Sequence, residues 1–324
     1  MENCKIKIEP FNLWEHHYFG WKTTIKFLRD KIFSYASDAV LFEPAVEATF
    51  VNIHTRDTER IKLYQENKWV AVFHHAHNDW RSWHHIYDLV NKNSEFQKAL
   101  QNLVGIFVLC EEQRIAYSEI PELANIPISK LYHPTDVNVS KFDFELFSCK
   151  HPTKLPCGNL MMIGDHLRLH KKFSRFRTHY TKSVLLATED DWAGRATRRD
   201  WWFANHNITK HTERISNQEY DKIMCQNIQF VELVNPTASN LLLECIARST
   251  PVCINPHPSV VEYLGKDYPL YYTNIRKFAR KLKQGGLPLL KDAHEYLKET
   301  LAQDKISPDY FVNSFFESDV YKSI

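Results

Sequence analysis

The chain has 324 residues, 44% hydrophobic and 25% charged, enough to bury a substantial core and to divide into two domains, which excludes disorder as its main state. Forty-one Lys plus Arg stand against 39 Asp plus Glu, a formal +2. That lacks the basic excess with which a dedicated nucleic-acid binder displaces counterions, so no nucleic-acid partner is expected.

Short apolar runs alternate with longer helical patterns through the first half. They are CKIKIEPF (4–11), a helix over 21–36, AVLFEP (39–44), a polar helix near 57–67, WVAVFHH (69–75), a helix over 96–104 and GIFVLC (105–110). Strand and helix in alternation imply parallel strands with crossover helices. A run such as WVAVF, apolar at every position, suits a strand covered on both faces. Residues 133–158 carry several prolines and little periodicity, which marks a connection, and the domain boundary is placed at 152/153.

The alternation then restarts with NLMMIG (159–164), KSVLLAT (182–188), IQFVELV (228–234), STPVCINP (249–256) and PLYYT (269–273). Helical stretches near 170–180, 216–226, 238–248 and 275–285 separate them. A second α/β domain over 153–290 is expected. The remaining 291–324 end in SPDYFVNSFFESDVYKSI, too apolar for a solvated tail, and are expected to be helical and to pack back across the domains.

Eight glycines form neither a G-x-G-x-x-G fingerprint nor a P-loop, which removes standard dinucleotide dehydrogenases and P-loop NTPases. Seven cysteines, never spaced C-x-x-C, suit free thiols in a reducing compartment, and a cytoplasmic protein is expected. No run of eighteen apolar residues occurs, and the start MENCKIKIEP has no signal-peptide pattern, so no transmembrane segment is expected.

The clearest local signal is the segment 236–272, PTASNLLLECIARSTPVCINPHPSVVEYLGKDYPLYY. Asn240 and Glu244 lie four apart on one helix face. The first turn offers free N–H groups to a phosphate or sugar hydroxyl, and a carboxylate such as Glu244 takes hydrogen bonds from ribose hydroxyls. A surface helix that merely carries one Asn and one Glu is the plainer account.

Ala238, Asn240, Glu244-Cys245-Ile246, Arg248, Thr250-Pro251, Pro258, Val261 to Gly265 and Asp267 to Pro269 together resemble the donor-site segment of GT-B glycosyltransferases. The similarity is to a branch found in giant viruses and some bacteria. WVAVFHHAHNDW (69–80), FQKALQNLVGIFVLCEEQ (96–113), LYHPTD (131–136) and NLMMIGDHLRLHKKFSRF (159–176) extend it, so that it covers about residues 20 to 280. The resemblance implies two Rossmann-like parallel-sheet domains facing a central cleft. Residues 1–152 would be the acceptor side and 153–290 the nucleotide-sugar-binding domain. It implies a glycosyltransferase that moves a sugar from a nucleotide-sugar donor to a hydroxyl of a glycan, lipid or protein, with no cofactor and no required metal.

In those terms Gly164, Arg168 and Lys171 follow a predicted strand, where Arg168 would fork onto the diphosphate with Lys171 or Lys172 as a second charge. Ala238, Ser239 and Asn240 would hold donor phosphate or sugar through backbone N–H groups, and Glu244 the ribose. Pro236 departs from the pattern. It stands where retaining members of the wider fold carry the first of two glutamates, which leaves retention or inversion open and admits a non-catalytic glycan- or nucleotide-binding protein.

Histidines form a second concentration after the strand WVAVF. His75 and then His77 are the candidates for proton transfer, because an imidazole titrates near neutrality. His74, Trp80 and Gly20 are placed on the acceptor side; Trp80 and Trp83 suit stacking on a sugar ring, with ordinary core packing the plainer account. The rival reading comes from His75-x-His77-x-Asp79, part of the H-x-H-x-D-H zinc motif of metallo-β-lactamase-like hydrolases, with Trp80 in place of the final histidine. Arg195, Arg198 and Arg199 with Trp192, Trp201 and Trp202 make an aromatic and basic stretch that suits an acceptor glycan or a nucleic acid, with a surface loop over the C-terminal domain the plainer account.

Overall fold

The computed structural model describes residues 5–8, 21–31, 39–51, 57–77, 86–148, 158–164, 167–186, 203–212, 215–300 and 302–324. The chain forms two units, each built on a five-stranded parallel sheet. Unit 1 comprises 1–135, 235–239 and 305–324; unit 2 comprises 136–234 and 240–304.

In unit 1 the strands β1 (Ile6–Lys7), β2 (Val40–Glu43), β3 (Trp69–Val72), β4 (Leu103–Val108) and β5 (Ile128–Lys130) pair in sequence order. Side-chain alternation splits the central strands between two cores. Trp69, Ala71, Ile106 and Val108 pack on one face with Phe50, Tyr64 and Phe96. Val70, Val72 and Phe107 pack on the other with Phe311, Phe315 and Val320. The continuous apolar runs are therefore buried on both sides, as a parallel sheet under helices requires.

The connecting helices are α1 (Trp21–Lys31), α2 (Val46–Phe50), α3 (Thr58–Glu66), α4 (Ile86–Lys92), α5 (Ser94–Leu100) and α6 (Glu111–Ser118). Asp57 caps α3 by accepting from Arg60 N (3.0 Å), and Asn93 caps α5 by accepting from Phe96 N (2.9 Å). Each cap satisfies an N–H with no partner inside its helix.

Unit 2 contains β6 (Leu160–Ile163), β7 (Lys182–Leu185), β8 (Thr209–His211), β9 (Ile228–Val231) and β10 (Val252–Ile254), in the order β10-β9-β6-β7-β8. Its helices are α7 (Phe144–Ser148), α8 (His170–Arg175), α9 (Asn217–Gln226), α10 (Asn240–Arg248), α11 (Pro258–Leu264) and α12 (Ile275–Glu299). A capping box between Ser216 and Glu219 starts α9. After α13 (Ala302–Lys305), α14 (Pro308–Glu317) and α15 (Asp319–Ser323) belong to unit 1.

Three expectations shift. The units change over at 135/136, ahead of the expected 152/153, because residues 136–148 are tied into unit 2: Phe142 N donates to Arg248 O (2.8 Å) and Asp143 N to Cys225 O (2.9 Å). The expected boundary at 290/291 falls inside α12, and residues 291–304 stay with unit 2 while 305–324 join unit 1. PLYYT forms only an isolated bridge, Ile254 to Tyr271, since Pro269 has no N–H to give and Tyr268 and Tyr272 turn their rings into the core.

Candidate functional site

In unit 2 the chain runs from β6 out through β7 to β8, then returns to add β9 and β10 on the opposite edge of β6. The strand order therefore reverses between β6 and β9, and ligands of open α/β sheets bind beyond the carboxyl ends of strands at such a switch point. The residues there are Gly164 and Leu167 to Leu169 after β6, and Glu232 to Val234 after β9.

These two turns are laced together. Leu169 N donates to Glu232 O and Val234 N to Leu167 O, each at 3.2 Å, and Arg168 bridges Leu233. Asn255, just past β10, grips Leu233 from the other side, accepting from its N–H (2.8 Å) and donating to its C=O (2.9 Å). Gly164 has φ +84°, which explains a glycine at the strand end, and Leu167 is held at φ +57°. A left-handed leucine costs about 1–2 kcal/mol, so the surrounding hydrogen bonds over-determine this turn.

Arg168 is half-buried, and its Nε donates to Ile163 O at 3.4 Å. Its charge acts on Glu244, so these two expected site residues share one neighbourhood. Lys171 is exposed on α8, whereas the neighbouring Lys172 is ion-paired with the buried Glu232 carboxylate.

Helix α10 begins at Asn240, and Leu241 to Arg248 are all buried. Glu244 is 4% exposed, and its Oε2 accepts from the Tyr220 hydroxyl. Arg248 is ion-paired with Asp221 and donates to Glu244 O (3.4 Å). Burial pushes the Glu244 carboxyl up to about 7, against the opposing pull of Arg248, the Tyr220 hydrogen bond and Arg168. The resemblance gives Glu244 to a ribose; in the structure one of its oxygens is already engaged within the protein. Ala238 and Ser239 fall in unit 1, where Ala238 packs against the Phe311/Phe315 core, while Gly164, Arg168, Lys171, Asn240 and Glu244 belong to unit 2.

In unit 1 the histidine turn follows β3. Glu47, 4% exposed, accepts from His74 N (2.8 Å) and His75 N (2.9 Å) through one oxygen. Gln113 and Tyr117 donate to His75 O (3.1 and 3.2 Å), Thr237 donates to His74 O (2.5 Å), and His74 Nε2 lies 2.8 Å from Pro44 O. His74 is thereby committed to the protein scaffold, and His75 and His77 sit half-buried on a turn fixed at both peptide edges. Sequence reading singled out the histidines and passed over Glu47, Gln113, Tyr117, Thr237 and Asn255, whose roles arise from contacts 22 to 163 residues apart.

Gly20, Asp79, Trp80, Trp83 and the basic aromatic stretch 187–202 lie outside the described residues. Among the described residues no group of three His, Cys, Asp or Glu side chains is placed to hold a metal ion, and no helix is long and apolar enough to cross a membrane.

No protein-family model and no curated protein sequence matches the chain. Solved structures do match it in fold. HepE from Anabaena, in a complex with UDP, is 11% identical with a TM-score of 0.61 over 96% of this chain and 98% of that one. Sucrose-phosphate synthase from Thermosynechococcus elongatus is 11% identical with a TM-score of 0.63 over 90% and 75%. The pneumococcal O-GlcNAc transferase GtfA, in complex with UDP and GlcNAc, is 11% identical with a TM-score of 0.54 over 81% and 54%. The two five-stranded parallel sheets with their helices are thus those of the GT-B glycosyltransferase fold.

Proposed function

We propose that the chain is a nucleotide-sugar-dependent glycosyltransferase whose donor diphosphate is held at the switch point of unit 2. The observation that carries this reading is the meeting of Arg168, the left-handed Gly164 turn and the laced β6 and β9 ends at the one place in that sheet where strand order reverses. A guanidinium presents a planar fork to a diphosphate, with exposed Lys171 as a second charge. The N–H groups at Asn240, where the nine-residue α10 starts, add the positive end of a helix. These groups stabilise the charge that develops on a departing nucleoside diphosphate.

UDP-glucose and UDP appear in the HepE complexes, which supports a nucleoside diphosphate as the ligand class here. The acceptor in this proposal is a hydroxyl of a glycan, lipid or protein. His75, on its fixed turn in unit 1, is assigned the proton transfer, with His77 next. The residues leading into α10, Ala238 and Ser239, are assigned backbone contacts to the donor. No step requires a bound metal.

The test is a thermal-shift titration of the whole chain with UDP-, GDP-, CMP- and dTDP-sugars, with and without chelator. Stabilisation by one base that persists in chelator is expected, by binding linkage. No shift with any nucleotide, together with a melting temperature that collapses on chelation, would replace this reading with the zinc hydrolase.

A further inference from the structure

Residues 275–291 carry six cations, Arg276, Lys277, Arg280, Lys281, Lys283 and Lys291, and no carboxylate. The whole chain has 41 Lys plus Arg against 39 Asp plus Glu, so this concentration is local and leaves an acidic balance elsewhere. The helix that carries them is α12. Its Phe278 and Leu282 turn inward, 3% and 1% exposed, and the six cations are exposed, five of them before the break at Gly286 and Lys291 beyond it with its Nζ 5.9 Å from the centre of the Phe144 ring. Arg276, Lys277, Arg280 and Lys283 make no ion pair among the described residues, while Lys281 Nζ donates to Pro269 O at 2.7 Å.

The helix is broken at Gly286 (φ 51°, ψ −139°), where a Cβ would meet nothing within 4 Å. The break opens a shallow cavity of about 660 Å³ lined by Lys277, Arg280, Lys281, Gln284, Pro288 and Leu289, with Asp292 as its acidic edge. Leu287, 39% exposed, stands at the break.

We propose that the kinked basic face of α12 docks unit 2 onto a membrane surface of anionic phospholipid. Cations spaced along one helix face meet lipid phosphates, and the exposed Leu287 with Pro288 and Leu289 supplies the apolar edge that enters the boundary between headgroups and acyl chains. Leu287 decides for a lipid surface over a nucleic acid, since a phosphate backbone has no use for an apolar prong. The inference is independent of the glycosyltransferase reading.

The experiment is sedimentation of the full chain with vesicles of phosphatidylcholine alone and of phosphatidylcholine with phosphatidylglycerol, at low and high salt. Binding to the anionic vesicles only, weakened by salt, is expected. The combined Lys277→Gln, Arg280→Gln, Lys283→Gln variant loses at least about tenfold in affinity, and Leu287→Ser loses severalfold, both with an unchanged melting temperature. Inorganic phosphate, at the concentration of phosphate the vesicles present, leaves binding unaltered. Equal binding to both vesicles, full retention by the charge variant, an unaffected Leu287→Ser, or displacement by inorganic phosphate would each overturn the proposal. Binding of duplex RNA through the same three cations without vesicle binding would also overturn it.

Discussion

Glu244, closed in by Tyr220, Arg248 and Asp221, couples its titration to folding. Its carboxyl is raised from an ordinary 4.5 to about 7 by burial. A raised carboxyl contributes stability fully below the unfolded value and loses it as pH rises through the folded one. Stability from this residue should therefore decline between about pH 4.5 and 7, and Glu244→Gln, which keeps an acceptor for the Tyr220 hydroxyl, should remove that slope in urea unfolding measured across pH. Glu244→Ala removes the same slope together with the acceptor of the Tyr220 hydroxyl, so it should cost about 1–3 kcal/mol at low pH and progressively less as pH rises through about 7. Arg168 is a different case, half-buried and within charge range of Glu244. Arg168→Ala should weaken nucleoside diphosphates by about 1.5–3 kcal/mol and leave nucleosides unchanged in calorimetric titration. An equal loss for both would contradict a diphosphate role. Arg168 was legible in the sequence because it follows an apolar strand and a glycine. The burial of Glu244 was not, because the Tyr220 hydroxyl that covers it comes from another helix, 24 residues earlier in the chain.

The elements themselves show where local pattern suffices and where it stops. Strands such as Trp69–Val72 and Leu160–Ile163 lie inside the runs expected for them, since residues buried on both faces must be apolar at every position. The short helix Val46–Phe50 has no readable amphipathic stripe because all five of its residues are buried. Yet it carries Glu47, which holds the backbone of His74 and His75. Glu47→Ala should destabilise unit 1 by about 1–3 kcal/mol, the cost of removing the acceptor of two backbone donors, and, under the proposed assignment of proton transfer to His75, should lower kcat through the loosened turn. The packing of α15 on β4 makes a sharper test. A Cβ on Gly105 would lie 2.3 Å from Val320 Cγ1 and 3.2 Å from Val70 Cγ1. Gly105→Ala should therefore cost about 1–3 kcal/mol of overpacking. Adding Val320→Ala, which deletes the nearest atom, should cost less than the two single changes summed in a double-mutant cycle by urea unfolding.

At the scale of the whole molecule, the chain leaves unit 1 at 135/136 and contributes 235–239 and 305–324 back to it. Phe311, Phe315 and Val320, at most 1% exposed, then complete the second face of the first sheet. Removing residues 305–324 takes away these three buried side chains and that of Ile306, worth about 1.5–3 kcal/mol each, so unit 1 should lose its cooperative unfolding transition while unit 2 keeps its own. Two resolved transitions in the full chain and one in the truncated chain, followed by hydrogen exchange of the β4 and β9 amides, would check this. The sequence by itself determined two runs of alternating strands and helices, the apolar central strands, the glycine and arginine after β6, and the packed nature of the final segment. These are local consequences of side-chain period and of burial on both faces of a sheet. Only the tertiary structure decided the reversal of strand order between β6 and β9, the unit to which the final helices belong, the carboxylate beneath the histidine turn, and the pairing of Glu244 with Tyr220. Those depend on which distant segment returns to which edge or face, and the periodicity of one stretch carries no record of its partner.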